Sequence, residues 1–199
     1  MRQIVGLLLF GWRYRLKVTG LDNLPKNGPV LLLGNHISWI DFALIQWAIP
    51  RTIRFVVHDD YYRKPIFNWI LRGVGAVSIK PENSRNAMQN IINLLNDDCV
   101  VGIFPEGHIS TTGELSDLKR GFEKILAECK DKVVVVPFAI NDMWGSFFSK
   151  APKLIKNKNK NKNKKKFNLR RSVNVNIGKP LTSETNRNAV KSSIGKLLC

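Results

Sequence analysis

Apolar and polar positions alternate in blocks along this chain. Pro29–Leu33 carries no polar side chain and stops at Gly34-Asn35. A short apolar run closed by a breaker pair predicts a buried strand. Ile53–His58, Ala76–Lys80, Val100–Phe104 and Val133–Phe138 are further apolar-rich runs that read as strands. Segments with helical spacing lie between them. Ser38 is placed to cap a helix through Ala43, Leu44 and Trp47, closed by Pro50. Ser84–Asn96 turns Ile91, Ile92, Leu94 and Leu95 inward, and helices are also predicted over Leu118–Glu128 and Thr185–Leu198. Tyr61–Leu71 reads as an apolar helix or a membrane-facing element, ended by Gly73 and Gly75. Val18–Gly20 predicts a short strand, and Ser172–Gly178 alternates as a late, half-exposed one. Strands alternating with helices predict an α/β fold. Unbroken apolar strands predict a mainly parallel, mixed sheet flanked by helices.

Two stretches fall outside this rhythm. The first is residues 1–17. Its apolar run, Ile4–Phe10, is seven residues long, far short of the ~20 needed to span a bilayer. Trp12 and Tyr14 follow, interleaved with Arg13, Arg15 and Lys17. This predicts a helix lying in the headgroup region, with a core-packing helix as the alternative. The second is Lys156–Lys166, which holds seven lysines in eleven residues. It reads as a solvated loop or an electrostatic membrane contact.

At 199 residues the chain reads as a single domain or as a module cut from something larger. Its 44% apolar content is ordinary, but its net charge of +17 is not. Such a surface attracts phospholipid headgroups, nucleic acid or an acidic carrier protein. Cys99, Cys129 and Cys199 form no paired spacing, which implies a reducing compartment. No Cys/His cluster has metal-ligand spacing, so no metal site is expected.

The chemistry concentrates at the end of the Pro29–Leu33 strand. His36 stands at its stop and Asp41 follows five residues later. With Asp41 one turn into the next helix, its carboxylate can return to His36. A carboxylate on one imidazole nitrogen fixes the tautomer and leaves the other nitrogen as a base. That arrangement removes a proton from a hydroxyl.

Asn35-His36-(four residues)-Asp41, then Phe104-Pro105-Glu106-Gly107, then Val136-Pro137-Phe138-Ala139-Ile140 follow one another in order. This set resembles the glycerolipid acyltransferase family, and specifically its lysophosphatidic acid acyltransferase group. The resemblance covers about residues 16–180 and implies a glycerol-phosphate acyltransferase-like fold. It further implies acyl transfer from an acyl thioester to a lysophospholipid hydroxyl, most simply 1-acylglycerol-3-phosphate giving phosphatidic acid. His36 would be the base and Asp41 its orienter. Acyl-carrier protein or acyl-CoA would be the donor substrate, with no cofactor. Asn35, Pro105 and Pro137 would support the site. Glu106 and Gly107 would bind the acceptor or brace its loop. The family often places cations at three points where this chain has His58-Asp59-Asp60, Ile79-Lys80-Pro81 and Gly107-His108-Ile109. Lys80 is therefore the candidate phosphate ligand, with His58 and His108 as hydrogen-bond donors. The stretch Phe104–Leu115 also resembles bacterial modules that reacylate lysophosphatidylethanolamine, so that acceptor stays open.

The expected partners are the acceptor lipid, the acyl donor and an anionic membrane surface. The expected location is the cytoplasmic face of a bacterial inner membrane, held peripherally or monotopically. Two other classes compete. One is a basic nucleic-acid-binding module, but no RNP, KH or zinc pattern is present and the Lys run carries no stacking aromatics, so no specific nucleic acid is expected. The other is a non-catalytic lipid-binding domain, against which His36 and Asp41 argue.

Overall fold

Val30–Gly34 (β2) is buried at every position, and the rest of the sheet is arranged around it. The computed structural model describes residues 11, 13–62, 72, 75–79, 84–129, 132–152, 170–182 and 185–199. Within them the strands are Tyr14–Thr19 (β1), β2, Ile53–His58 (β3), Val77–Ile79 (β4), Val100–Ile103 (β5), Val134–Asn141 (β6) and Arg171–Ile177 (β7). They form one sheet in the order β1-β7-β6-β2-β5-β3-β4. From β6 to β4 the strands are parallel, with β2 held between β5 and β6. β7 lies antiparallel to β6, and β1 is parallel to β7. The sheet is mixed and mainly parallel, as the apolar runs predict.

The longer helices among the described residues are Asp41–Ala48 (α1), Ser84–Asn96 (α2), Gly121–Cys129 (α3) and Arg187–Leu197 (α4), and a single turn, Asp59–Tyr62, follows β3. Successive side chains of a strand face opposite ways. Val30 and Leu32 accordingly join Leu44 and Ile45 of α1 in one core. Leu31 and Leu33 join the apolar faces of α2, α3 and α4 in the other. A strand covered on both faces has no use for a polar residue, which explains its composition.

The amino-terminal expectation is corrected from Tyr14 onward. Tyr14–Thr19 is a strand and not part of an interfacial helix. Its polar and apolar residues alternate with period two, Tyr14 is 2% exposed, and Arg15 and Lys17 point to solvent. The cation–aromatic mixture is therefore the signature of a half-buried strand. The rest of the 1–17 segment, apart from 11 and 13, lies outside the described residues, as do 63–71, Lys80 and Lys156–Lys166. No helix among the described residues is long and apolar enough to cross a membrane.

Candidate active site

Adjacent strands β2 and β5 send their following helices to opposite faces of the sheet, α1 to one and α3 to the other. Where connections diverge in this way, a crevice opens beyond the strand ends. The β2–α1 turn and the β5–α3 loop meet there.

Asn35 anchors the turn. It is fully buried, its amide donates to the Ile140 carbonyl at 3.0 Å, and its carbonyl accepts the Ile140 N–H at 2.8 Å. The side chain thus continues the β2–β6 ladder one step past Gly34, where the main chain turns away. Gly34 is required there, because a Cβ would sit 2.3 Å from the buried Phe138 ring.

Asp41 opens α1 and is fully buried. Its Oδ2 accepts from His36 Nδ1 at 2.9 Å, from the Ile37 N–H at 2.6 Å and from the Ser38 N–H at 2.8 Å. Its Oδ1 accepts from the Ser38 hydroxyl. A carboxylate can only accept, so His36 Nδ1 carries the proton and Nε2 is left as the acceptor. The expected Ser38 cap is corrected. Ile40 occupies the N-cap position without a side-chain bond, and Asp41 stands at the helix start and not one turn inside. The carboxylate reaches backward to the turn, so Ser38 serves Asp41 and not the helix end. The His36 ring stacks on Phe104 with centroids 4.2 Å apart and planes 13° apart. Only 19% of its side chain is exposed.

Glu106 supports the same turn from the other loop. It is 1% exposed. Its Oε1 accepts the His36 N–H at 2.8 Å, and its Oε2 accepts both the N–H and the hydroxyl of Ser116 at 2.9 and 2.7 Å. The Ser110 N–H donates to the His36 carbonyl at 2.7 Å. The main chain of His36 is therefore held on both sides by the β5–α3 loop. Pro105 is buried, and its carbonyl accepts the Lys119 N–H. Gly107 takes a left-handed φ of 70°. Pro137 lies within β6, in register with Leu33.

The remaining candidates stand apart. His108 is exposed, and its Nδ1 lies 3.0 Å from the Glu106 carbonyl. His58 ends β3 and pairs with exposed Asp60 at 3.2 Å. Phe104 opens the quoted Phe104-Pro105-Glu106-Gly107 block, although the sequence assigned it no role; Ser38, Ser110 and Ser116 belong to the site but carry no sequence signal of it beyond proximity to the motifs. Ser116 lies ten residues beyond Glu106, a spacing that no local periodicity marks.

Residues 15–141 match the model of the acyltransferase family. The chain is 24% identical over 139 residues to a 1-acyl-sn-glycerol-3-phosphate acyltransferase of Borreliella burgdorferi, covering 68% of this chain and 56% of that protein. It is 30% identical over 118 residues to a lyso-ornithine lipid O-acyltransferase of Rhizobium meliloti, covering 58% and 38%. The chain thus spans about half the length of these relatives, or less. The solved structure of the 1-acyl-sn-glycerophosphate acyltransferase PlsC of Thermotoga maritima superposes with a TM-score of 0.74 at 20% identity, over 99% of this chain and 75% of that one. At that identity the likeness is one of fold.

Proposed function

The chain belongs to the acyltransferase family, and on that premise we propose that it transfers a fatty acyl group from a thioester to the free hydroxyl of a lysophospholipid. The acceptor in this reading is 1-acylglycerol-3-phosphate and the product phosphatidic acid. The observation that carries the proposal is the buried Asp41 carboxylate on His36 Nδ1, which leaves Nε2 as the acceptor. Nε2 takes the hydroxyl proton as the oxygen attacks the thioester carbonyl. Asp41 stabilises the imidazolium so formed. The C–S bond of the tetrahedral intermediate then breaks, and the imidazolium returns its proton to the departing thiolate. A thiolate is a competent leaving group, so the reaction needs neither a covalent acyl-enzyme nor a resident cofactor. Acyl-CoA or acyl-carrier protein serves as donor, at a membrane surface. Asn35 and Glu106 act here as positioning residues, because each holds the main chain around His36. Lys80 is the proposed phosphate ligand.

The experiment is release of free thiol from acyl-CoA and from acyl-carrier protein against a panel of lysophospholipids. The expected result is acceptor-dependent release, fastest with 1-acylglycerol-3-phosphate. Fastest release with lysophosphatidylethanolamine or lyso-ornithine lipid would replace the acceptor but keep the reaction. No release with any acceptor would overturn the proposal.

A further inference from the structure

An acyltransferase acting on a lipid, as proposed above, must bring its histidine to the bilayer where that lipid resides. The surface beside His36 has the composition for it. Among the described residues the exposed large apolar side chains are Leu21, Trp39 and Phe147. Leu21 follows β1, which runs opposite to β2, and so lies at the far edge of the sheet. Trp39 and Phe147 both lie at the carboxyl edge, in the turn after β2 and the loop after β6.

The two loops are built as one unit. The Trp39 N–H donates to the Phe148 carbonyl at 3.2 Å, and Ser38 and Ser149 form a β-bridge. The Ser149 hydroxyl accepts the Gly145 N–H and donates to the Ser146 carbonyl, closing the loop on itself. Phe148 turns inward and packs against buried Tyr14, with centroids 6.4 Å apart. Phe147, its neighbour, turns outward and is 70% exposed. Its ring rests edge-on against Phe148 with centroids 5.3 Å apart, and the rest of it is apolar area that burial against an apolar phase would stabilise.

The charges around it select the cover. Lys150 places its ammonium 5.9 Å from the centre of the Trp39 ring. Arg13 and Arg170 immediately precede β1 and β7 at this same edge, both exposed, and are joined through the Arg171 N–H on the Arg13 carbonyl. Acids at this edge among the described residues include Asp142, whose carboxylate accepts from Asn174 Nδ2 at 2.7 Å, Glu114 in the loop after β5, and Asp59 and Asp60 after β3. Cations rimming a Trp and a Phe match the boundary between anionic headgroups and acyl chains. An acidic carrier protein would be met by the cations but leaves the phenylalanine without a role.

We propose that Trp39, Phe147 and Lys150, flanked by Arg13 and Arg170, form a docking surface for an anionic phospholipid bilayer, which seats the His36 edge of the sheet on the headgroups. The bilayer then covers Phe147, while Lys150 and the two arginines pair with phosphates.

The test uses the full chain and vesicles of phosphatidylglycerol and phosphatidylethanolamine. Phe147→Trp retains the aromatic and adds a reporter at the tip. Its added emission should be quenched by lipids brominated high on the acyl chain. Vesicle-bound protein whose added emission is unquenched would overturn the proposal, whatever else holds the chain to the membrane. Separately, Phe147→Ser with Lys150→Glu should lower turnover on a vesicle-embedded acceptor about fivefold, with turnover on a dissolved short-chain acceptor unchanged. Equal losses on both acceptors, a raised KM for acyl-carrier protein alone, or a concentration-dependent dimer that the double variant abolishes would each assign the surface elsewhere and overturn the proposal. The quenching arm needs no turnover, so a protein inactive on every acceptor still tests the surface, and the failure of the proposed function is read separately.

Discussion

Two histidine–aspartate pairs stand at the carboxyl ends of β2 and β3, parallel strands on either side of β5, and they differ in almost every physical respect. His36 and Asp41 are 2.9 Å apart, and the carboxylate is fully buried. His58 and Asp60 are 3.2 Å apart, with 48% and 76% of their side chains exposed. Asp41 is held by two backbone N–H groups and a serine hydroxyl as well as by the imidazole. At His58 the Asp60 N–H approaches Nδ1 at 3.4 Å, so the backbone competes with the carboxylate for the same ring atom. An exposed pair is screened by water and typically contributes about 0–1 kcal/mol. A buried carboxylate with every oxygen engaged has one orientation, and it imposes one tautomer on its histidine. The difference teaches that a His and an Asp near a strand end do not make a base. The donors that immobilise the carboxylate do.

The sharpest way to break the comparison is to remove each imidazole. His36→Ala should lower turnover by about 10²–10⁴-fold in a folded protein, the usual contribution of a positioned base. His58→Ala should leave kcat within about threefold and act, if at all, through the acceptor KM. Steady-state kinetics with each substrate varied separately decides between them. Equal losses in the two variants would erase the distinction.

The carboxylates give the next largest contrast. Asp41→Asn turns an amide N–H toward donors that need an acceptor, and should cost about 1–3 kcal/mol of stability in denaturant unfolding along with a strong loss of turnover. Asp60→Asn should unfold within about 0.5 kcal/mol of the parent. A stable Asp41→Asn protein with normal turnover would show that the immobilised carboxylate is dispensable.

Glu106 sharpens the comparison at the smallest scale. Glu106→Gln keeps the shape but offers one N–H to a site whose protein partners, the His36 N–H and the Ser116 N–H and hydroxyl, all donate. The expected cost is about 1–2 kcal/mol, with kcat lowered through the displaced His36 turn and the acceptor KM unchanged. A raised acceptor KM at unchanged stability would make Glu106 a substrate contact and not a brace.

Some of this was legible in the chain and some was not. β2 is plain in the sequence because a strand buried on both faces excludes polar residues, and Val30–Leu33 contains none. The His36–Asp41 pair is plain because its partners are five residues apart and local geometry suffices to join them. β1 misleads because Arg15 and Lys17 interleaved with Tyr14 and Leu16 suit an interfacial helix as well as a half-buried strand. Only its pairing with β7, more than 150 residues on, settles the matter. Ser38 misleads in the same way. A serine three residues before a helix looks like a cap until a buried carboxylate claims its hydroxyl and its N–H.

The chain by itself determined the period of the central strands and of the helices that cover them, the apolar strand that ends at Gly34 and the spacing that lets Asp41 reach His36. These depend on neighbours within one or two turns, where backbone geometry leaves few alternatives. Tertiary structure alone decided that Glu106, seventy residues away, receives the His36 N–H, that Asn35 extends the ladder onto Ile140, and that Trp39 and Phe147 share one surface. Those contacts follow from the order of strands in the sheet. Strand order is set by which apolar faces bury one another across the whole domain, and no local pattern of polar and apolar residues encodes it.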